Sequence, residues 1–337
     1  MPTLDIFNND AFSVTQLTSA IEKVPYRPQF LGALGIFEPV PVRTTTIAIE
    51  KRENTLSLIK TSDRGAPLEE GAGLKRDIRD FRTTRIAKGD RINADEVQNM
   101  RAMGSETELQ TVQTEVAGRM GRLKEDMELT WENMRLGAVQ GIVTDADGSV
   151  LMDWYDAWGI TQPAEINFAL DQAATDVRKK CASVMRSMTK AARGAWGPGV
   201  RIHALCGDAF YDDLISHEAV KETYRNWAAA ADLRNNMAFE SFPFGGIVFH
   251  NFRGTDDDTT LAIGQDKAKF FPVGARGVFQ TAWSPAEFFD FVNTPGRDLY
   301  AITIPDRDRN AWVRVELYSY PLYICTRPEM LLRAKRA

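Results

Sequence analysis

Cysteine is scarce in this 337-residue chain: Cys181, Cys206 and Cys325 stand far apart and are odd in number. They offer no disulfide framework, and the natural reading is a chain that folds in a reducing compartment. Histidine is just as rare, with only His203, His217 and His250. A catalytic triad or a three-histidine metal site would have to use nearly all of them. No apolar run approaches the ~20 residues that a membrane-crossing helix needs. The opening "MPTLDIFNND" carries neither a basic n-region nor an apolar h-region, so no secretory signal is expected. A basic excess is missing too. With 41 Lys and Arg against 46 Asp and Glu, the formal charge is −5, which does not fit a protein whose main task is gripping nucleic acid.

Reaction signatures are absent as well. The chain has no G-x-x-x-x-G-K-[ST] phosphate loop, no G-x-G-x-x-G after a strand, no H-E-x-x-H, no C-x-x-C and no G-x-S-x-G. His203, Cys206 and Asp208 form the best cluster of reactive residue types. On a strand, however, positions 203 and 206 point to opposite faces, so a buried structural histidine and a buried free cysteine are expected. The alternative function built on them is a two-domain α/β enzyme or ligand-binding protein using the His203–Asp208 region. "DADG" at Asp145–Gly148 has the start of a calcium loop but lacks its later ligands and final Glu. Asp-Gly is a favoured hairpin turn, and that reading is taken. No metal or cofactor site is expected.

What the chain does have is organisation. At this length it exceeds the roughly 250–300 residues at which single cores stop growing, so two domains or an elongated shape are expected. Leu17, Ala20, Ile21 and Val24 have helical spacing, and prolines at 25, 28, 39 and 41 then break the chain into an extended arm. In "RTTTIAIEKRENTLSLIKTSDRG" alternation at Thr45, Ile47 and Ile49, and again at Leu56 and Leu58, predicts a β-hairpin turning at "KREN". From Lys75 to Arg91 seven basic residues and three acids give a local charge of +4. The β-branched "FRTTRIA" points to extended structure there. The interleaved acids would weaken a phosphate grip, so this segment is expected to meet an acidic face of another protein.

The dominant element is "GSETELQTVQTEVAGRMGRLKEDMELTWENMRLGAVQGIV". Ser105 and Glu108 form a capping box. Leu109, Val112, Val116, Met120, Leu123, Met127, Trp131, Met134, Ala138 and Ile142 recur at a mean step near 3.6, which predicts a single straight helix from Ser105 to about Ile142. Glu115–Arg119, Arg122–Asp126 and Lys124–Glu128 are expected as exposed i, i+4 pairs. Gly118, Gly121 and Gly137 each cost about 1 kcal/mol inside a helix. They are read either as sites of close packing or, for Gly118 and Gly121, as points where the helix bends.

Downstream, "GIVTDADGSVLMDWYDAWGI" predicts a second hairpin. A stripe from Leu170 through Ala174, Val177, Cys181, Val184 and Met188 to Ala192 predicts a helix closed by Gly194. "GPGVRIHALCG" is a turn and a buried strand. Asp208 is expected to cap a helix over "AFYDDLISH", with helix continuing to about Asn235. Strands follow in "FPFGGIVFHNFRG", "TLAIGQDKAKFFPVG" and the aromatic-rich tail. Most of the seven tryptophans are expected in the core.

These segments together resemble a known family. "LTSAIEKVPYRPQFLGALGIF", "TTTIAIEKRENTLSLIKTSDRGAP", "RINADEVQNMRAMGSETELQTV", "LCGDAFYDDLISHEAVKETYRNW" and "PLYICTRPEMLLRA" are similar to the major capsid proteins of tailed bacteriophages. The likeness is to the lambda-type E family, with the fold first described for phage HK97, and it runs over nearly the whole chain. It implies an α+β HK97-like fold: an N-terminal arm (1–41), an extended β-hairpin loop (42–104), a peripheral domain with its spine helix (105–162), an axial domain (163–281) and a return to the peripheral domain with a C-terminal strand (282–337).

It also implies a head protein that self-assembles through hexamers and pentamers into an icosahedral shell around double-stranded DNA, without reading its sequence. Such a protein has no enzymatic role. It is built in the host cytoplasm and found in the virion, away from membranes, and a bacterial nanocompartment shell would share its fold. Its expected partners are a separate scaffolding protein, a portal and, in some phages, a decoration protein. Intersubunit contacts are expected at Arg64, Lys75, Arg76, Arg79, Arg82 and Arg85, and a helix-bending hinge at Gly118 and Gly121.

Overall fold

A computed structural model describes residues 30–52, 76–98, 108–225, 241–252, 263–309 and 311–337. The expected helix at Leu17–Val24, the Leu56–Leu58 strand and the Ser105 capping box lie outside the described residues. In chain order the first elements are α1 (Phe30–Leu34), β1 (Glu38–Pro41), β2 (Thr46–Arg52), β3 (Arg76–Arg82), β4 (Ile86–Asn93), α2 (Ala94–Gln98) and α3 (Glu108–Gln140). The hairpin β5 (Ile142–Thr144) and β6 (Val150–Asp153), α4 (Trp154–Ala157), β7 (Ile166–Asn167) and α5 (Val177–Ala191) come next. After them run β8 (Arg201–Cys206), α6 (Asp208–Ser216), α7 (Glu218–Arg225), β9 (Ser241–Phe244), β10 (Ile247–Asn251), β11 (Lys267–Val273) and β12 (Phe279–Trp283). The last strands are β13 (Tyr300–Pro305), β14 (Trp312–Ser319), β15 (Pro321–Cys325) and β16 (Leu332–Lys335).

The chain divides into two units. The first takes in the described residues of Met1–Ile47, Phe81–Glu132 and Thr281–Tyr323; the second, those of Ala48–Asp80, Asn133–Gln280 and Ile324–Ala337. Helix α3 contributes to both.

Its 33 residues make it about 50 Å long. The predicted stripe is the buried one: Val116, Met120, Leu123, Met127, Trp131, Met134 and Ala138 are all buried. The helix stops at Gln140, short of Ile142, which starts β5. Gly141 ends it at φ +86, where a Cβ would fall 2.4 Å from the Tyr155 ring. Only glycine combines that backbone with that approach. The i, i+4 pairs differ from expectation. Glu115–Arg119 forms at 2.8 Å and Lys124–Glu128 at 3.8 Å, but Glu128 is buried. Asp126 pairs across to Lys88 at 2.6 Å.

In the first unit an antiparallel sheet runs β13-β14-β4, with Arg314 opposite Arg91 and Val315 opposite Asp90. One face carries Val313, Val315, Leu317 and Ile92, all buried. A second three-stranded sheet is ordered β1-β12-β15.

The second unit centres on a six-stranded sheet ordered β7-β16-β11-β8-β10-β9. Its apolar face (Ile202, Ala204, Cys206, Phe249, Phe270) is buried, and ring contacts join Phe168 to Phe210 and Phe270. Helix α5 buries Val177, Cys181, Val184 and Met188. The β9–β10 hairpin turns at Gly245–Gly246, both at positive φ, as the tightest hairpins require.

Four local expectations are corrected. Strand β2 runs on through Lys51–Arg52, where a turn was expected, and its partner is β3; a run of polar residues is compatible with a strand as well as with a turn. Helix α5 begins at Val177, not Leu170, because the Asp176 carboxylate accepts from the Lys179 N–H at 2.9 Å and sets the first turn. Asp208 does not cap α6. Gly207 holds that position without a side-chain cap, since a Cβ there would fall 2.4 Å from the Gly264 carbonyl. Helix also breaks at His217, whose Nε2–H donates to the Gln172 carbonyl while Nδ1 accepts from the Ala219 N–H. The hairpin turning at Asp145–Ser149 is as predicted, although its second strand ends at Asp153, which caps α4.

Candidate assembly surface

Arg119, between Gly118 and Gly121 of α3, organises charged contacts in the first unit. Its guanidinium meets Glu115 at 2.8 Å, Asp90 at 3.1 Å, the Arg91 carbonyl at 2.8 Å and the carboxylate of Glu96. The Asn93 amide and Arg119 together hold the Glu96 carboxyl below the usual carboxylate range. Helix α3 is thereby tied to β4 and α2. Further along, the buried Glu132 carboxylate accepts from the Leu31 N–H at 2.6 Å and the Gly32 N–H at 3.2 Å, meeting the otherwise orphaned donors at the start of α1. The Trp131 indole N–H donates to the Ser319 hydroxyl at 3.2 Å.

The predicted contact residues are placed unequally. Arg64 and Lys75 lie outside the described residues. Arg76 lies on β3. Arg79 donates to the Ala157 carbonyl. Arg82 is exposed at the end of β3. Arg85 pairs with Glu287 at 3.0 Å and lies 5.1 Å over the Tyr318 ring. Arg76 and Arg79 belong to the second unit, Arg82 and Arg85 to the first. Gly118 and Gly121 occupy unbroken helix, and a Cβ at either would meet nothing within 4 Å. Among the described residues of one chain, close packing therefore does not require glycine at either position. It does at Gly137, where a Cβ would fall 2.7 Å from the Val143 Cα.

Sequence reasoning missed the most exposed aromatic among the described residues. Phe289 is 99% exposed, while its neighbours Phe288 and Phe291 pack into a cluster with Tyr300, Tyr318 and Tyr320. "EFFDFVN" puts three phenylalanines within four residues, and a helical turn cannot bury all three.

His203 and Cys206 fall on opposite faces of β8, as strand geometry predicts, and form no reactive cluster. Cys206 is buried in the apolar face of the six-stranded sheet, and burial pushes its thiol well above the ordinary range. His203 lies on the other face, its Nδ1 2.8 Å from Nε2 of His250, with the rings stacked at 4.9 Å. Burial, then the neighbouring His203, holds His250 down at about 4; burial and Arg201 lower His203. Both rings are therefore neutral near pH 7 and share one hydrogen bond. Asp208 begins α6. "DADG" is a closed turn: the Asp147 carboxylate accepts from the Ser149 N–H at 2.9 Å, and Asp145 accepts from Ala146 at 2.7 Å. Among the described residues no group of three or more His, Cys, Asp or Glu is arranged to hold a metal ion.

A profile of the phage major capsid protein E family matches residues 13–336. The chain belongs to that family. Two curated relatives of the capsid protein are the major capsid proteins of Pseudomonas phage KPP10 and Salmonella phage Felix O1. The first is 26% identical over 100% of this chain and 99% of its own; the second is 24% identical over 95% of each. Among solved structures, the capsid protein is similar to one described as the capsid protein of an E. coli CFT073 prophage. The TM-score is 0.60 at 14% identity, covering 96% of this chain and 99% of that one. The mature capsid of bacteriophage PhiM1 gives 0.50 at 12% identity, over 93% and 88%. The capsid protein thus has the α+β, HK97-like fold. Among its described residues no helix is long and apolar enough to cross a membrane.

Proposed function

We propose that this phage capsid protein assembles with copies of itself, as hexamers and pentamers, into the icosahedral shell that encloses the double-stranded DNA of a tailed phage. It works by its contacts and catalyses no reaction. The match to the capsid family over nearly the whole chain is the observation that carries this reading.

The remaining roles follow from the same reading. Residues 1–41 serve as an arm, and 42–104 as a loop reaching a neighbouring subunit. Helix α3 is the spine of a peripheral domain, residues 163–281 form an axial domain, and 282–337 return to the peripheral domain. Arg64, Lys75, Arg76, Arg79, Arg82 and Arg85 contribute intersubunit contacts, and Gly118 and Gly121 let the spine bend. A scaffolding protein and a portal direct assembly, and a decoration protein is an optional addition. The chain is mildly acidic overall, with a formal charge of −5, which fits packaged DNA being held loosely and without sequence preference.

The test is to co-express the chain with its scaffolding protein and examine the product by electron microscopy. Closed shells are expected. A monodisperse monomer or small oligomer with scaffold present would refute the proposal. Replacing residues 53–75 by a short Gly-Ser turn should leave a soluble subunit that no longer closes shells.

A further inference from the structure

The chain segregates its charge. Between Arg135 and Arg178, residues 136–177 contain seven acids and no Lys, Arg or His. At the tip of the β5–β6 hairpin, Asp145 and Asp147 are exposed, and Val150 beside them is 61% exposed. The tip is a hydrogen-bonded turn: the Asp145 N–H donates to the Ser149 carbonyl at 2.8 Å and the Gly148 N–H to the Asp145 carbonyl at 3.0 Å.

A complementary surface lies on the outer face of the β13-β14-β4 sheet. Arg91 and Arg314 face each other across β4 and β14, and their guanidinium carbons lie 5.0 and 5.5 Å from the Trp312 ring centroid. Stacking on the indole fixes both arginines at little further entropy cost. Ile304, opposite Arg314 on β13, is 40% exposed. Arg314 reaches Glu316 only at 3.5 Å, and its side chain stays half exposed. Gly89 leaves room for this arrangement, since a Cβ there would lie 3.1 Å from the Glu316 side chain and 3.6 Å from that of Arg314. Two pre-stacked arginines, an indole and an exposed isoleucine are the composition of an interface anchor, and they call for carboxylates with a small apolar group alongside.

We propose that the Arg91–Trp312–Arg314 face of one copy receives the acidic β5–β6 hairpin tip of a neighbouring copy, with Asp145 and Asp147 meeting the two guanidiniums and Val150 resting on Ile304. The inference rests on the shell reading above and names one contact within it. Both surfaces are exposed in the single chain. Each copy carries one of each, so the contact is head-to-tail and can repeat around a ring. The like charge of two hairpins, or of two arginine faces, disfavours the wrong pairings.

The experiment co-expresses charge-reversal variants with the scaffolding protein and scores shells by electron microscopy. Folding of each purified subunit is checked by circular dichroism and thermal melting. Arg91→Glu with Arg314→Glu should abolish shells, as should Asp145→Arg with Asp147→Arg, both leaving subunits folded. All four changes in one chain should restore shells. As a direct reading of proximity, Asp147→Cys with Arg314→Cys should give disulfide-linked ladders in oxidised shells, because the native thiols are buried. If wild type forms shells and the reversals do too, the contact is wrong. If each reversal blocks shells but the fourfold variant does not recover them and no ladder appears, the hairpin is not the acceptor and the proposal falls. Failure of wild type to form shells would instead count against the parent reading.

Discussion

Replacing Gly118 and Gly121 together by alanine should strengthen α3 and impair assembly. Among the described residues a Cβ at either position meets nothing within 4 Å, so no packing cost is expected to oppose the change in the unassembled subunit. Each substitution then recovers the helix-propensity difference, about 0.8–1.0 kcal/mol, and the pair about 1.6–2 kcal/mol. For a chain of 337 residues that raises the melting temperature by about 2–3 °C. Gly137→Ala is the matched control. It makes the same gain in propensity, but its Cβ lands 2.7 Å from the Val143 Cα and 2.8 Å from the Ile142 carbonyl oxygen. Backbone atoms cannot step aside, and overpacking costs about 1–3 kcal/mol, so this variant should be no more stable than wild type. Urea unfolding of the unassembled subunit, followed by circular dichroism, measures both. A double variant that is not stabilised would refute the reasoning about open space. A stabilised double variant that assembles normally would remove the hinge role.

Two further outcomes are expected. Glu132→Gln should cost about 1–3 kcal/mol in the same unfolding assay, because an amide presents only one acceptor to the two N–H groups that the buried carboxylate satisfies; an unchanged midpoint would show that α1 does not depend on this anchor. The His203–His250 pair should weaken the subunit in acid. Unfolded imidazoles bind protons below their ordinary 6.5, while His250 resists until about 4. The unfolded state therefore holds more protons, and stability falls as pH drops through that window. Melting temperatures from pH 7 to pH 4 should decline less steeply for His250→Gln than for wild type, and equal slopes would contradict the assignment.

The long helix was legible in the sequence because its apolar step of about 3.6 repeats from Val116 to Ala138, and every member of that run is buried. The β5–β6 turn was legible because Asp-Gly leaves few alternatives. Boundaries were harder. Leu170 and Ala174 continue the α5 spacing, but spacing cannot see that the Asp176 carboxylate turns back onto Lys179 N and starts the helix there. The contacts that define the surface were not legible. Arg119 gathers Asp90 and Glu96 from elements that share no periodicity with it, and Arg91 stacks on Trp312 from the far end of the sequence. His203 was read against its sequence neighbour Cys206, while its partner came from β10 through the parallel pairing of β8 and β10.

The pairing of β4 with β14 joins residues more than two hundred positions apart, and its consequence falls on the order of events during synthesis. The first unit needs Thr281–Tyr323, and the second needs the strand at Leu332–Lys335 between β7 and β11. A nascent chain that has reached residue 280 has therefore completed neither. Such closure is slow, and until it happens β4 lacks its β14 partner, leaving that edge open to any other strand. Unfinished chains have no assembled outer face to dock, so competence to build arrives late and all at once, and translation itself sets the earliest moment at which a wall can begin to grow.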